Sequence, residues 1–297
     1  MTTGRRQHII PQFYLRRFLS PGLVYRKGHD NPRMVPSPQQ VAFENWYYEV
    51  ANWPDDLPSL DEINTQLESM TAPALARLIE SATPVDSGTK HTVAYLIANL
   101  YLRVPATIQA TGGTVLNMME QADDLLKAQM KHFEETGTTP PLSSGFDTGS
   151  SSHRYTPEEW ESELESLRGE VAAGKPMMAE SMRLTPHLVP FIESMSWAVL
   201  AAPRDRYFLT SDRPVALTLI NGSLVGAGWG RTDALATLPL SPDRFLVLCG
   251  TPPGMSLFGR GIGKKDIRKL NLRTISHARM EVYSPKENPF AEEWMKL

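Results

Sequence analysis

Cysteine is almost missing: Cys249 is the only one in 297 residues. A single thiol excludes an internal disulfide framework and a cysteine-rich zinc site. It closes the apolar run Arg244-Phe-Leu-Val-Leu, which reads as a core thiol rather than a nucleophile. Long apolar stretches are missing as well. None reaches the roughly eighteen uninterrupted residues of a bilayer span. The start, Met-Thr-Thr-Gly-Arg-Arg-Gln-His, is charged and lacks the apolar run of a secretory signal. A cytoplasmic location with no membrane partner is therefore expected. The seven histidines form no H-E-x-x-H or other metal pair, and there is no G-x-S-x-G elbow or kinase set. Gly-Arg-Gly-Ile-Gly at 259–263 lacks the spacing and context of a phosphate loop. No metal and no organic cofactor is expected.

What is present is an ordinary globular composition, 41% hydrophobic and 21% charged, enough to fill a core. The net charge of −3 argues against a generic polyanion binder. Its distribution is uneven. Arg5, Arg6, Arg16, Arg17, Arg26, Lys27 and Arg33 face the single acid Asp30 in the first stretch. Arg260, Lys264, Lys265, Arg268, Lys269 and Arg273 face Asp266 in another, while six glutamates crowd 158–170. If the basic stretches meet, they offer a face for a phosphate backbone; if they do not, they are solvated surface.

Along the chain, prolines at 11, 21, 32, 36, 38, 54 and 58 forbid a long helix before residue 59. Short strands are expected at Leu23–Tyr25 and Trp46–Val50. Ser59 with Glu62 forms a capping box for a helix that Pro73 bends or splits. Apolar spacing predicts further helices at 89–103, 114–133, 157–173 and 175–200, the last broken at Pro186 and Pro190. The Gly/Ser/Thr/Pro-rich stretch 134–156 reads as a surface insert. After Leu200 the pattern shifts to strands at 207–210, 215–220, 234–238, 245–249 and 278–283, with a basic helix at 264–276. Helices first and strands later predict an α+β fold, its helical first two-thirds packed on a small, mainly antiparallel sheet from the last third. The whole is one unit over 1–297: a Pro/aromatic-rich opening at 1–58, a helical lobe at 59–200 and a strand-rich lobe at 201–297.

Two boxes carry candidate chemistry. His8-Ile-Ile-Pro-Gln12-Phe-Tyr14-Leu-Arg16-Arg17-Phe18 gathers an imidazole, an amide, a phenol and two guanidiniums. A lone histidine more often satisfies a backbone carbonyl than it exchanges a proton. Tyr207-Phe-Leu-Thr-Ser211-Asp212-Arg213-Pro214 sets a carboxylate in a tight turn at a strand end. Such a carboxylate is either held rigidly for catalysis or spent in an Asx-turn. Glu44 sits near Trp46, Tyr47 and Tyr48, a setting expected to raise its pKa. Arg103, at a helix end, either reaches a phosphate or caps carbonyls. Asn271, in the basic helix, either reads a base or sits as a surface amide.

His8-x-x-Pro11-Gln12-x-Tyr14-Leu15-x-x-Phe18, the Ser211-Asp212-x-Pro214 turn and Pro239-Leu-Ser-Pro242 resemble a bacterial domain family of unknown function. One branch of it looks like antiphage DNA glycosylases, which excise a modified base from viral DNA. Many members carry Asn at the position of Arg213. The resemblance implies that Asp212, or secondarily Glu44, stabilises an oxocarbenium-like sugar or orients water. It implies that His8 or Tyr14 contacts the leaving base or a phosphate, and that Phe13, Tyr14, Trp46 and Tyr47 hold a flipped base. Gln12, Tyr14, Arg16, Arg103, Ser211 and Asn271 would then bind substrate, and Arg5, Arg6, Arg17, Lys264, Lys265 and Arg268 the DNA backbone. Two other readings stay open: a metal-dependent nuclease using Asp212 and Glu44, and a non-enzymatic nucleic-acid-binding defence or toxin module.

Overall fold

A computed structural model describes residues 6–50, 53, 56–81, 83–137, 161–162, 165–166, 168–169, 175–250 and 260–295. Arg5, the expected helix at 157–173 apart from short pieces, and 138–156 of the expected insert lie outside them. The helices are α1 (Gln12–Leu15), α2 (Leu60–Glu80), α3 (Ser87–Leu102), α4 (Pro105–Thr136), α5 (Lys175–Arg183), α6 (Thr185–Ser194), α7 (Lys264–His277) and α8 (Pro289–Met295). The strands are β1 (Arg6–His8), β2 (Gly22–Arg26), β3 (Arg33–Val35), β4 (Phe43–Asn45), β5 (Ser196–Ala201), β6 (Thr210–Ser211), β7 (Ala216–Leu219), β8 (Ala234–Ser241), β9 (Arg244–Cys249), β10 (Arg260–Gly261) and β11 (Glu281–Ser284). The fold is α+β, and no helix among the described residues is long and apolar enough to cross a membrane.

Local signals explain the helix starts. Ser59 Oγ accepts from the Glu62 amide while the Glu62 carboxylate accepts from the Ser59 amide, a complete capping box. Asp86 caps α3 through the Thr89 amide at 2.9 Å. Pro105 opens α4, where its missing N–H costs nothing. Pro73 sits inside α2 without ending it. Pro186 falls in the first turn of α6 and Pro190 inside it, so the expected break lies instead at Leu184, between α5 and α6. The expected helix also stops short: Ser196–Ala201 is a strand, because it pairs along its whole length with β9.

Three sheets replace the single one expected. The five-stranded sheet runs β10-β5-β9-β8-β7, antiparallel except where β10 meets β5. The four-stranded sheet runs β3-β2-β11-β6, and β1 pairs with β4 in a two-stranded ribbon. The opening segment thus supplies strands to the C-terminal sheet: Leu23–Arg26 pair with Glu281–Ser284. Helix α3 packs on both α2 and α6, and Leu75, Leu78, Leu96, Ile97 and Ile192 join Val199, Leu238 and Leu246 in one core. Each such side chain contributes about 1.5–3 kcal/mol by leaving water. Gly22 lets α1 lie close to β2, since a Cβ there would meet the Phe18 carbonyl oxygen at 2.6 Å and that of Ser284 at 2.8 Å.

Candidate functional site

A cleft of about 670 Å³ opens where the β1–β4 ribbon, the β2–β3 hairpin and the β6/β11 strand ends meet the start of α4. Ile9, Ile10, Val41, Phe43 and Tyr283 supply apolar wall. Three carboxylates, Glu44, Asp212 and Glu281, line it together with four guanidiniums, those of Arg26, Arg33, Arg213 and Arg279. None of the four arginines has a carboxylate within ion-pair distance among the described residues. His29, at the tip of the β2–β3 hairpin, completes the polar rim.

Asp212 is fixed by the sheet. Its amide donates to the Glu281 carbonyl at 3.0 Å, extending the β6–β11 pairing by one residue. Its carboxylate accepts three backbone N–H groups from the approach to β11: Arg279 at 2.8 Å on Oδ1, and Met280 at 2.7 Å and Glu281 at 3.1 Å on Oδ2. Burial pushes the Asp212 carboxyl above its ordinary value, against the pull of those three amides; Glu281 nearby adds to the rise. The carboxylate is therefore held by another segment rather than by its own turn. Oδ1, with one bond, keeps a lone pair for the cleft.

Glu44 is the unrestrained partner. It is exposed at the middle of β4, opposite Gln7, and its carboxylate has no hydrogen bond or ion pair among the described residues. Both ends of β4 are bent by non-glycine residues in the left-handed region, Ala42 at φ 51° and Trp46 at φ 57°. Such conformations cost on the order of 1 kcal/mol or more and persist where packing over-determines them. The strand expected at Trp46–Val50 is therefore absent: β4 lies just before it, and residues 46–48 form a turn. Tyr47 and Tyr48 turn inward instead, donating to the Arg103 and His8 carbonyls at 2.8 and 3.0 Å.

His8 and Asp212 do not meet in one cleft. The N-terminal box reaches Asp212 through Ile9 and Ile10, whereas His8 lines a different groove with Gln12 and Arg16. Burial lowers the His8 pKa, and its ring packs edge-on against Phe43 at 5.9 Å. Several residues expected to bind substrate are instead internal fasteners. Tyr14 is wholly buried, its hydroxyl 2.6 Å from Thr210 Oγ1 and donating to the Pro239 carbonyl at 2.7 Å. Arg103 is wholly buried and donates to the Ile9 and His8 carbonyls and to Asn64, Glu68 and Asn99. Ser211 is buried, and its Oγ accepts from the Arg213 amide. Asn271 brackets the chain before β6, accepting from the Leu209 amide and donating to the Tyr207 carbonyl, both at 3.0 Å. That side chain takes the place of a neighbouring strand, which is why the sheet includes only Thr210–Ser211 of the expected 207–210.

The expected backbone grips are divided. Arg6 lies over the Phe43 ring at 4.8 Å, beside the cleft wall. Arg17 is half-buried with its Nε unpartnered. Lys264 pairs with Asp205 at 3.1 Å, and Arg268 stacks on Phe290 at 4.6 Å. Lys265 is exposed on α7. The basic helix and the opening basic stretch therefore do not line one cleft. Sequence reasoning missed Arg279 and Glu281, because nothing local marks the approach to β11 as the carrier of Asp212. Cys249 is half-buried on β9, its thiol pushed up by burial.

Fold and site together define an α+β protein with a carboxylate-bearing, arginine-rimmed cleft built from both ends of the chain. The chain belongs to the family described as protein of unknown function (DUF4238), whose model matches residues 6–288. No curated protein and no solved structure matches it.

Proposed function

We propose that the protein is a DNA-processing hydrolase that cleaves the N-glycosidic bond of a modified base in foreign DNA, leaving an abasic site. The observation that carries the reading is the juxtaposition of the Glu44 and Asp212 carboxylates with four guanidiniums that have no carboxylate partner among the described residues, around one cleft. Its volume, about 670 Å³, falls in the range of ligand pockets and suits one nucleotide drawn out of the stack. Asp212, immobilised by three amides, supplies a fixed negative charge against the cationic sugar that forms as the C1′–N bond breaks. Glu44, exposed and unbonded, accepts a proton from the water that attacks C1′. The bond electrons leave with the base, which takes up a proton, and the arginines hold the flanking phosphates and the departing anion.

The test is incubation with duplexes carrying normal or modified bases, followed by alkali. Alkali-labile breaks that require both the protein and a modified base are expected. Glu44→Gln should lower their rate by about 10²–10⁴-fold with DNA binding retained. Breaks without alkali that a chelator abolishes would instead establish a nuclease. A folded Asp212→Asn variant with full biological effect would leave only the binding-module reading.

A further inference from the structure

Cleaving an N-glycosidic bond requires a proton for the departing base, and neither an anionic Asp212 nor a Glu44 that takes a proton from water supplies it. Glu281 is the third carboxylate of the cleft, and the four-stranded sheet decides where it stands. Side chains alternate along β11, so Glu281 and Tyr283 share the cleft face. Val282 takes the other face, packed with Leu23, Tyr25 and Leu209. Across the sheet, Glu281 is the register partner of Arg26 on β2, and its carbonyl accepts from the Asp212 amide at 3.0 Å. Directly opposed Cβ atoms in such a pair are about 4.5–5.5 Å apart. Asp212, Glu281 and Arg26 thus form one row on the cleft face, yet no ion pair joins Glu281 to Arg26 among the described residues. The buried Tyr283 hydroxyl donates instead to Glu281 Oε2 at 2.8 Å, and Oε1 has no hydrogen bond among the described residues.

Neighbouring carboxyl groups resist carrying two negative charges once a ligand displaces the water around them. Three amides hold Asp212 as an anion, whereas Glu281 meets one hydroxyl, which can turn to accept as well as donate. Arg26, His29 and Arg33 face the pair from the β2–β3 hairpin, Glu44 from β4, and Arg213 and Arg279 from beside Asp212 and Glu281. Phosphates seated on those arginines leave no cation over to hold Glu281 ionised. We infer that Glu281 is the catalytic acid of the cleft, positioned by Tyr283. Its carboxyl proton passes to the departing base, which carries off the C1′–N bond electrons. The proton that Glu44 takes from water returns through solvent to the Glu281 carboxylate, so water adds across the bond and the protein is unchanged. The inference rests on the glycosidic reading and supplies its proton donor.

The experiment measures kcat and KM for abasic-site formation by the full chain, from about pH 5 to 9. The probes are duplexes carrying uracil, 5-hydroxymethyluracil, 5-hydroxymethylcytosine or N6-methyladenine. Glu281→Gln keeps an acceptor for the Tyr283 hydroxyl and removes the proton. It should lower kcat by about 10²–10⁴-fold with KM nearly unchanged. It should also remove the decline of rate with rising pH that a proton donor imposes, whereas Glu44→Gln should remove the decline with falling pH. A merely structural role would lower the rate and keep both limbs. Glu281→Asp, which retains an acid, should restore the alkaline limb and part of the rate. Tyr283→Phe should lower kcat by about tenfold, the worth of one hydrogen bond, with circular dichroism confirming each fold. Abasic sites formed by Glu281→Gln at the unaltered rate, or more slowly with both limbs kept, would overturn the assignment and leave the glycosidic reading standing. No abasic sites from the unaltered chain on these duplexes would sink that reading, and the assignment with it.

Discussion

Two sets of arginines divide the molecule. Arg103 is buried and Arg273 half-buried, each with several acceptors: Arg103 clasps β1 to α2 and α3, and Arg273 donates to Thr218, Thr237 and the Ala216 and Leu235 carbonyls across β7 and β8. Arg26, Arg33, Arg213 and Arg279 rim the cleft without a carboxylate partner. The residue type is the same and the physics is opposite. An internal guanidinium spends its donors on backbone carbonyls that would otherwise be unmatched, so its removal is a folding problem. A rim guanidinium holds most of its donors for an anion (only Arg33 among the four spends one, on the Gln40 carbonyl at 3.2 Å), so its removal is a binding problem.

Arg103→Met gives the largest expected effect. It strands the Ile9 carbonyl, leaves the His8 carbonyl with the Tyr48 hydroxyl alone and leaves Glu68 without its cation, so it should cost about 3–5 kcal/mol, read from urea unfolding. A loss below about 1 kcal/mol would erase the distinction between the two sets. Tyr14→Phe comes next. Removing a buried hydroxyl from Thr210 and the Pro239 carbonyl should cost about 1–3 kcal/mol with DNA affinity unchanged; a loss of affinity at constant stability would return Tyr14 to the site. Acid should act through two half-buried imidazoles. Burial lowers the pKa of both His8 and His277 from 6.5, so the unfolded chain takes up their protons first as pH falls. Below about pH 6.5 the unfolded state binds more protons than the folded one, and stability should fall on acidification by at most about 1.4 kcal/mol per pH unit for each histidine. The double variant His8→Gln/His277→Gln should flatten that slope in urea midpoints taken from pH 7.5 to 5.5, and an unchanged slope would refute the assignment.

What the sequence made legible was local. The Ser59–Glu62 box, the basic helix and the strand at Leu23–Tyr25 depend on neighbours a few residues away, and each stands where the pattern puts it. Strand β5 did not show because Ser-Trp-Ala-Val-Leu-Ala follows a helix without a breaker, and only pairing with β9 makes it extended. The candidate site divides the same way. Asp212 was visible as a carboxylate in a turn before proline, but the amides that hold it come from about seventy residues later in the chain, beyond any local rule. Tyr14, Arg103 and Asn271 drew notice for their polarity, yet that polarity serves buried carbonyls and amides contributed by distant segments. Polar side chains in an apolar box are thus ambiguous until their partners are known, and the partners here are long-range.

The smallest stability effect carries the sharpest test of the comparison. Arg26→Ala and Arg279→Ala remove exposed side chains with no ion pair among the described residues, so each should change unfolding free energy by no more than about 0.5 kcal/mol. If these guanidiniums neutralise phosphates, each variant should also lower the slope of log affinity against log salt by about one, uniformly across DNA sequences. Arg103→Met, studied where it remains folded, should leave that slope unchanged, because a guanidinium already committed to carbonyls releases no counterion from DNA. Equal slopes for the rim variants and the unaltered protein would mean that the cleft does not meet a phosphate backbone. The arginine rim would then belong to a small anionic ligand, and nucleic-acid chemistry at Glu44 and Asp212 would lose its electrostatic basis.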